Sequence, residues 1–181
     1  MPDPHRDESK SAAPRYSPGP VQSDEILLRT ILDPHHFEDG ILKAAAISLP
    51  DLEFKGWSVD RKRFTSLRRI KIFHEDRKRR NSKIKECYVI PVRADVIRFD
   101  TNGIREFVVT DTAEYMKPHH ATVLLLTPSM ADSRKRQFRD KLLQRLPNPV
   151  RAETVFEPKD KFGYLWGMFR QSISLILHRW R

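Results

Sequence analysis

The sequence predicts an α+β domain, with one mainly antiparallel sheet and two or three helices. Runs of β-branched and apolar residues at 26–32, 86–99 and 119–127 are typical of strands. Asn102-Gly103 lies between two apolar runs, which is typical of a hairpin turn between antiparallel strands. Helical segments are mixed with these strands along one short chain, and this mixture indicates the α+β class.

Each element of the first half follows from a local signal. The apolar run 26–32 predicts a first buried strand, and loose alternation over 52–60 predicts another. Thr65 is a suitable N-cap, and the residues from there to about Arg79 contain few helix breakers, which predicts a basic helix. Pro91 predicts an edge strand or a bulge, because proline cannot donate a hydrogen bond to a sheet ladder.

The second half is expected to contain a hairpin, a strand and a helix. The Asn-Gly turn joins a predicted strand at 92–99 to one at 104–110. Residues 119–127 predict a buried strand. Residues 133–146 predict a helix with apolar side chains four residues apart on one face, and two prolines end it.

Shifts in composition divide the chain into three parts. Residues 1–23 hold five of the thirteen prolines and too few apolar residues to offset ordering, which predicts a disordered tail. Residues 24–150 are expected to form the α+β domain. Residues 151–181 are expected to be a linker followed by an amphipathic helix. That helix, at 162–181, has three interpretations: it packs on the domain, docks on a partner protein or lies on a membrane surface.

Composition excludes several classes of protein. The 181 residues leave room for one domain and little more. The single cysteine, Cys87, excludes a disulfide framework and a multi-cysteine zinc module, and it fits a reducing cytoplasm. No apolar run approaches the roughly 18 residues of a membrane span, and the N-terminus lacks the apolar core of a signal peptide. With only six glycines and no glycine-rich phosphate motif, we expect neither a dinucleotide nor an ATP fold, and no cofactor.

The positive charge is concentrated in one segment. The net charge is +10, and residues 61–85 carry twelve basic and two acidic residues, so the rest of the chain sums to zero. Clustered cations bind phosphates by releasing condensed counterions, which predicts a surface for DNA, RNA or another polyanion. The alternative is a solvated helix face with a basic loop. The basic residues of the segment are Arg61, Lys62, Arg63, Arg68, Arg69, Lys71, Arg77, Lys78, Arg79, Arg80, Lys83 and Lys85.

A weaker basic group and two aromatic residues accompany this segment. Arg134, Lys135 and Arg136 begin the helix predicted at 133–146 and are expected to assist in binding. Phe64 and Phe73 are interleaved with the cations, which is compatible with stacking on single-stranded bases. The favoured interpretation is that both form the apolar underside of a half-buried helix.

Two histidine pairs are the first candidates for chemistry. In the pairs at 35–36 and 119–120, neighbouring side chains on an extended backbone point to opposite faces, so one member of each pair can face a given site. With Asp39, such a site has the groups for acid–base catalysis or a mononuclear metal centre. The alternative is that these histidines make ordinary hydrogen bonds, and because no metal-binding motif is present we expect no metal site.

A second constellation lies at the end of the strand predicted over 52–60. Ser58 and Asp60 share one face of that strand, and a hydroxyl and a carboxylate near a histidine suit nucleophilic or phosphate chemistry. The alternative is a strand end at which Asp60 pairs with an arginine. The candidate catalytic residues are therefore His36, Asp39, Ser58, Asp60 and His120.

The order of these motifs resembles a family of small uncharacterised bacterial proteins. The family pattern is a P-x-H-x-x-D-G loop, here Pro34 to Gly40, then a Ser-Val-Asp strand at 58–60 and a distal His-Ala strand beginning at His120. The resemblance covers roughly residues 26–146. The family has no known activity, so the resemblance implies no function for this chain.

Three functions are compatible with these patterns. The first is a small cytoplasmic module that binds nucleic acid with low sequence specificity through its basic segment. The second is a metal-independent nuclease or a nucleotide-modifying toxin that uses the region of His36, Asp39 and His120. The third is a subunit of a larger complex, docked through the helix at 162–181.

Overall fold

In the computed structural model, which describes residues 7–9 and 15–156, five strands form one antiparallel sheet and two very short strands form a separate hairpin. The strands are β1 (Ile26–Asp33), β2 (Phe37–Glu38), β3 (Ile41–Leu42), β4 (Trp57–Arg61), β5 (Glu86–Arg93), β6 (Phe107–Asp111) and β7 (His120–Leu125). The helices are α1 (Leu67–Arg80), α2 (Ala94–Arg98), α3 (Asp132–Arg145) and α4 (Ala152–Val155). The predicted α+β class and the mainly antiparallel sheet are confirmed.

Strand β4 lies at the centre of the sheet, in the order β5-β1-β4-β7-β6. Leu28 of β1 and His120 of β7 are both register partners of Asp60. Because directly opposed residues in antiparallel strands share a face, Asp60 and His120 project to the same side of the sheet. Pro91 lies in β5, which is an edge strand as predicted.

The two faces of the sheet carry two separate clusters of buried residues. One face packs against α2 and α3, where Trp57, Phe107 and Leu142 are fully buried. On the other face, Leu28 of the sheet packs against Ile70 of α1. Helices α1 and α3 therefore lie on opposite faces, because residues of opposite orientation in the strands contact them.

Helix α1 begins and ends close to the predicted positions. Its N-cap is Ser66, whose hydroxyl accepts a hydrogen bond from the Arg69 backbone N–H at 3.3 Å, and its C-cap is Asn81. Its last turn consists of four basic residues, 77–80. Cations at a helix C-terminus are stabilised by the free carbonyl groups, so the fold itself favours part of this charge.

Two segments differ from their predicted structure. Residues 51–55 form a π-helical turn rather than a strand, because the Ser48 hydroxyl accepts from the Asp51 N–H and Gly56, at φ 83°, redirects the chain into β4. Residues 94–98 form α2 rather than the end of a strand. The Asn-Gly turn is present and is closed by one isolated bridge between Phe99 and Arg105, but the predicted hairpin of two strands is wrong, because β6 pairs with β7 instead.

Part of the segment predicted to be a disordered tail packs on the domain. Val21 is buried, and the Gly19 carbonyl accepts a hydrogen bond from Arg61 at 2.6 Å. The Glu8 carboxylate pairs with the buried guanidinium of Arg98 at 3.0 Å. Buried cations that need partners explain why these polar residues are held in place.

The C-terminal boundary of the domain also differs from the one predicted at residue 150. Ala152 of α4 is buried together with residues of α1 and β5, so the packed domain extends beyond residue 150. The predicted amphipathic helix at 162–181 lies outside the described residues. Within the described part of the chain, no helix has the length and apolar character needed to cross a membrane.

Candidate nucleic-acid interface

Helix α1 presents a narrow apolar stripe to the sheet and the rest of its surface to solvent. Ile70 and His74, four residues apart, are its buried residues. The other positions are mostly basic, so the helix carries a basic outer face. The exposed cations of this face are Arg68, Lys71, Arg77, Lys78, Arg79 and Arg80.

Several cations of the basic outer face pair with nearby carboxylates in exposed positions. Such surface pairs contribute little to stability and are screened by salt, so a phosphate can replace the carboxylate at small cost. The pairs are Arg79–Asp76 at 2.7 Å, Arg80–Asp76 at 2.8 Å, Lys71–Glu153 at 2.6 Å and Lys78–Glu86 at 3.3 Å.

Other predicted binding residues flank this face. Arg63, Lys83 and Lys85 are exposed, and Lys62 is half-buried with its Nζ 5.9 Å from the centroid of the Phe156 ring. Within the described residues, the exposed part of the basic segment therefore continues beyond both ends of α1.

Arg61 does not belong to the surface, which corrects one predicted binding residue. Its side chain is 2% exposed and forms a bidentate pair with Glu25, at 2.6 and 2.8 Å. Asp111 lies 3.6 Å from the same guanidinium. A buried arginine held by two carboxylates is a structural element, because its charge cannot reach a ligand without leaving both.

The second basic group is also corrected. Lys135 is buried and its Nζ contacts Glu53 at 2.6 Å and Asp132 at 3.1 Å. Arg134 and Arg136 are exposed, but they belong to α3, on the opposite face of the sheet from α1. Arg134 and Arg136 therefore lie apart from the basic outer face of α1.

Asp60 and His119 form the centre of a polar cluster beside α1. His119 Nε2 lies 3.4 Å from Asp60 Oδ1. The imidazole is buried, and its Nδ1 has no hydrogen-bond partner among the described residues. The charges of Arg69, Arg29 and Lys117 act on Asp60, so three cations surround one carboxylate.

Burial dominates the ionisation of this cluster. It raises the pKa of Asp60 to about 6, although the three neighbouring cations oppose the shift. It lowers the pKa of His119 to about 3, and the charges of Arg69 and Lys117 lower it further. At neutral pH the imidazole is therefore uncharged, while the carboxyl group titrates close to the physiological range.

His120 and Ser58 lie on the same face of the sheet as Asp60. The His120 Nδ1 is 2.8 Å from the Thr112 hydroxyl, and burial lowers the pKa of this histidine. Ser58 is exposed although it lies in the central strand. Ser58 and Asp60 share one face, as predicted, the register of β7 places His120 on the same face, and His119 is the histidine in contact with Asp60.

His36 and Asp39 have roles in local structure. The His36 Nδ1 accepts from the Leu32 N–H at 3.3 Å, and burial, with the charge of Arg29, lowers the pKa of His36 to about 4. Asp39 is exposed and has a φ of 52°, and with Gly40 at 81° it forms the turn between β2 and β3. An Asp-Gly pair with two positive φ angles is the residue choice of a tight hairpin.

The charge of Arg29 acts on two of the predicted site residues, His36 and Asp60. Its Nη1 donates to the Ser58 carbonyl at 2.8 Å, and its guanidinium lies 5.1 Å from the centroid of the Trp57 ring. Burial lowers the pKa of Arg29 to about 10, and its Nε has no partner among the described residues. Arg29 acts electrostatically on both His36 and Asp60, so these two predicted residues belong to one neighbourhood without contacting each other.

Comparison with protein-family models, with curated proteins and with solved structures found no match for the chain. The resemblance described from the sequence therefore stays a prediction. Among the described residues, no group of three or more histidine, cysteine or acidic side chains has the arrangement of a metal site.

Three residues of this region escaped the sequence analysis. The sequence predicts that one member of the pair at 119–120 faces the site and favours His120, whereas the side chain in contact with Asp60 is that of His119, the residue just before β7. Arg29 interrupts an apolar run without any sequence signal of its own. Tyr115 belongs to the loop before β7 and is 71% exposed, and a single aromatic residue in a polar loop gives no pattern to detect.

Proposed function

We propose that this protein binds nucleic acid through the basic outer face of α1 with low sequence specificity. The observation that supports it best is that six cations of one helix are exposed while their carboxylate partners are few and at the surface. Lysine and arginine contacts to phosphate position a nucleic acid but do not read its bases. A reducing cytoplasm is part of this proposal.

The dimensions of the helix suit a phosphate backbone. Helix α1 has 14 residues, which corresponds to a length of about 21 Å. Phosphates of one strand of duplex DNA are spaced by roughly 3.4 Å along the axis, so the helix spans about six of them. A helix of this length can therefore contact several phosphates of one strand with the cations on one of its sides.

The test is fluorescence anisotropy with labelled duplex DNA and labelled single-stranded RNA across a salt series. The variant Arg79→Gln with Arg80→Gln removes two exposed cations from α1, and we expect the log–log slope to decrease by about 2 for duplex DNA. Arg134→Gln with Arg136→Gln removes two exposed cations from α3 and is the matched control, expected to keep the wild-type slope. Equal effects of the two variants would show that α1 is not the interface.

We propose as a second candidate function the metal-independent cleavage of the bound nucleic acid by the Asp60–His119 pair. The specific observation is a carboxyl group with a pKa of about 6, next to an uncharged imidazole and within the field of Arg69 and Lys117. A group with a pKa near the working pH is an efficient proton donor or acceptor. The cations supply the charge that a reacting phosphate needs.

Cleavage is tested by incubating labelled RNA with the protein in the presence of EDTA at about pH 6, followed by gel electrophoresis. Asp60→Asn is expected to abolish cleavage and to retain binding, because the asparagine keeps the shape of the side chain. Asp39→Asn is the control, since asparagine tolerates the positive φ of the hairpin turn, and it should cleave like the wild type. A wild-type protein without activity would remove this candidate.

A further inference from the structure

A row of arginine and aromatic side chains runs from the N-terminal segment across the loop before β7 onto α1. It consists of two residues before the sheet, one in the loop before β7 and three on α1. In spatial order the members of this cation–aromatic row are Arg15, Tyr16, Tyr115, Arg69, Phe73 and Arg77.

The first half of the row is held by ring contacts. The Arg15 guanidinium lies 5.8 Å from the centroid of the Tyr16 ring. Tyr16 packs edge-to-face on Tyr115, with ring centroids 5.5 Å apart and an interplanar angle of 63°. This contact is typical of aromatic pairs, and it holds Tyr115 in place although the ring is 71% exposed.

The second half continues the row onto the helix. The Arg69 guanidinium donates to the carbonyl of Met116, the neighbour of Tyr115. Phe73 lies one turn further along α1, on the same side as Arg69, and the Arg77 guanidinium lies 4.8 Å from the centroid of its ring. Phe73 is 38% exposed, so its ring is accessible beside the cations.

We propose that the cation–aromatic row binds single-stranded nucleic acid, with unpaired bases stacked on Tyr115 and Phe73 and phosphates held by Arg69 and Arg77. This inference rests on the proposed function and names its ligand class. Base–aromatic stacking tolerates any sequence, because every base has a flat face, and it requires bases that are not paired within a duplex. In duplex DNA the base faces are already stacked on one another, so the exposed rings add nothing to duplex binding.

The charges around the row favour this ligand. Glu114, the acidic residue of the loop, is paired with Lys117 at 2.8 Å, so its carboxylate is offset locally. Arg69 donates to a backbone carbonyl and forms no direct ion pair with a carboxylate among the described residues, although the charge of Asp60 acts on it. The row is therefore apolar on its rings and positive between them, which is the pattern of surfaces that bind single strands.

The experiment compares the full chain and its variants by anisotropy with two probes, a labelled oligothymidine of about 12 nucleotides and a labelled duplex. Tyr115→Ala and Phe73→Ala are each expected to weaken binding of the oligothymidine by roughly 5- to 150-fold and to leave duplex binding unchanged. Tyr115→Phe keeps the stacking face and should bind like the wild type. Phe54→Ala removes an aromatic side chain that is 74% exposed, outside the row, and is the matched control.

The outcomes separate the two proposals. If Tyr115→Ala and Phe73→Ala bind the oligothymidine as tightly as the wild type while the Arg79→Gln, Arg80→Gln variant shows the reduced salt slope for duplex DNA, the single-strand inference fails and the proposed function stands. If the wild type binds neither probe at low salt, both fail. A loss of oligothymidine binding that Phe54→Ala reproduces also overturns the inference, since it would not depend on the row.

Discussion

Helices α1 and α3 have the same length and nearly the same charge, but the carboxylates that pair with their cations differ in burial. Each has 14 residues, and α1 carries seven basic and two acidic residues against six and two in α3. In α3, Arg145 contacts Glu106 at 2.9 Å, and that carboxylate is 2% exposed. In α1, the carboxylates that contact cations are at the surface. Part of the charge of α3 is therefore used within the fold, whereas the paired cations of α1 face solvent.

This difference shows that the location of the carboxylate, and not the number of cations, decides what a basic helix does. A cation paired with a buried carboxylate stabilises the fold, because its loss leaves an unpaired buried charge. A cation paired at the surface contributes little to stability and can exchange its partner for a phosphate. The two helices can be distinguished experimentally by exchanging cations for neutral residues of similar size and measuring stability and binding separately.

The largest expected effect is on stability, in α3. Arg145→Gln leaves Glu106 buried without its closest cation, and the Phe99 carbonyl loses a donor at 2.6 Å. We expect the free energy of unfolding to fall by about 3 kcal/mol. Lys78→Gln in α1 breaks an exposed pair with Glu86 and should lower the free energy of unfolding by less than about 1 kcal/mol. Urea unfolding of both variants measures the difference, and equal losses would contradict the comparison.

The sheet and the main helices could be predicted because their signals are local. β-branched runs identify strands, Asn-Gly identifies a turn, and a basic segment with few helix breakers identifies α1, all from neighbouring residues. Arg61 could not be separated from the other cations of its segment, because its partners Glu25 and Asp111 lie far away in sequence. The same reason hid the contact between Asp60 and His119, because it joins the end of β4 to the residue before β7, and these are distant in the chain.

The two segments whose secondary structure differs from the prediction are also shaped by contacts with residues outside the segment. Alternation over 52–60 indicated a strand, yet its first half forms a π-helical turn that buries Leu52 against the sheet. The short helix α2 is fixed by hydrogen bonds from the Ala94 and Asp95 N–H groups to carbonyls of Glu25 and Ser23. Neither contact leaves a pattern in the segment itself, so propensity alone gave the wrong element.

The second-largest expected effect is a pH dependence of the affinity for phosphate, which arises where α1 meets the sheet. Asp60, with its pKa of about 6, carries a negative charge at pH 7 beside Arg69, and it loses that charge as the pH falls to 5. Below this pKa the Asp60 carboxyl group is neutral and no longer offsets the positive charges of Arg69 and Lys117. The affinity for a phosphate ligand therefore rises as the pH falls from 7 to 5, by up to about tenfold. The pKa values of His36 and His119, about 4 and 3, keep both rings uncharged through this range.

Asp60→Asn is the variant that tests this assignment. Its affinity should not change between pH 7 and 5, and at pH 7 it should already equal that of the wild type at pH 5. Anisotropy titrations at fixed ionic strength measure both. A variant that keeps the wild-type pH dependence would assign the effect to another group.

The smallest effect distinguishes two cations within α1. Arg68 is exposed and contacts no carboxylate in the described part of the chain, whereas Lys71 is paired with Glu153 at 2.6 Å. Arg68→Gln should weaken binding about threefold and reduce the log–log salt slope by about 0.7 to 0.9, the contribution of one phosphate contact. Lys71→Gln combined with Glu153→Gln leaves the net charge unchanged and should alter affinity by less than about twofold, because the cation that attracts a phosphate and the carboxylate that repels it are removed together. If the double variant loses as much affinity as Arg68→Gln, surface pairing does not decide which cations of α1 bind, and the contrast with α3 must rest on burial alone.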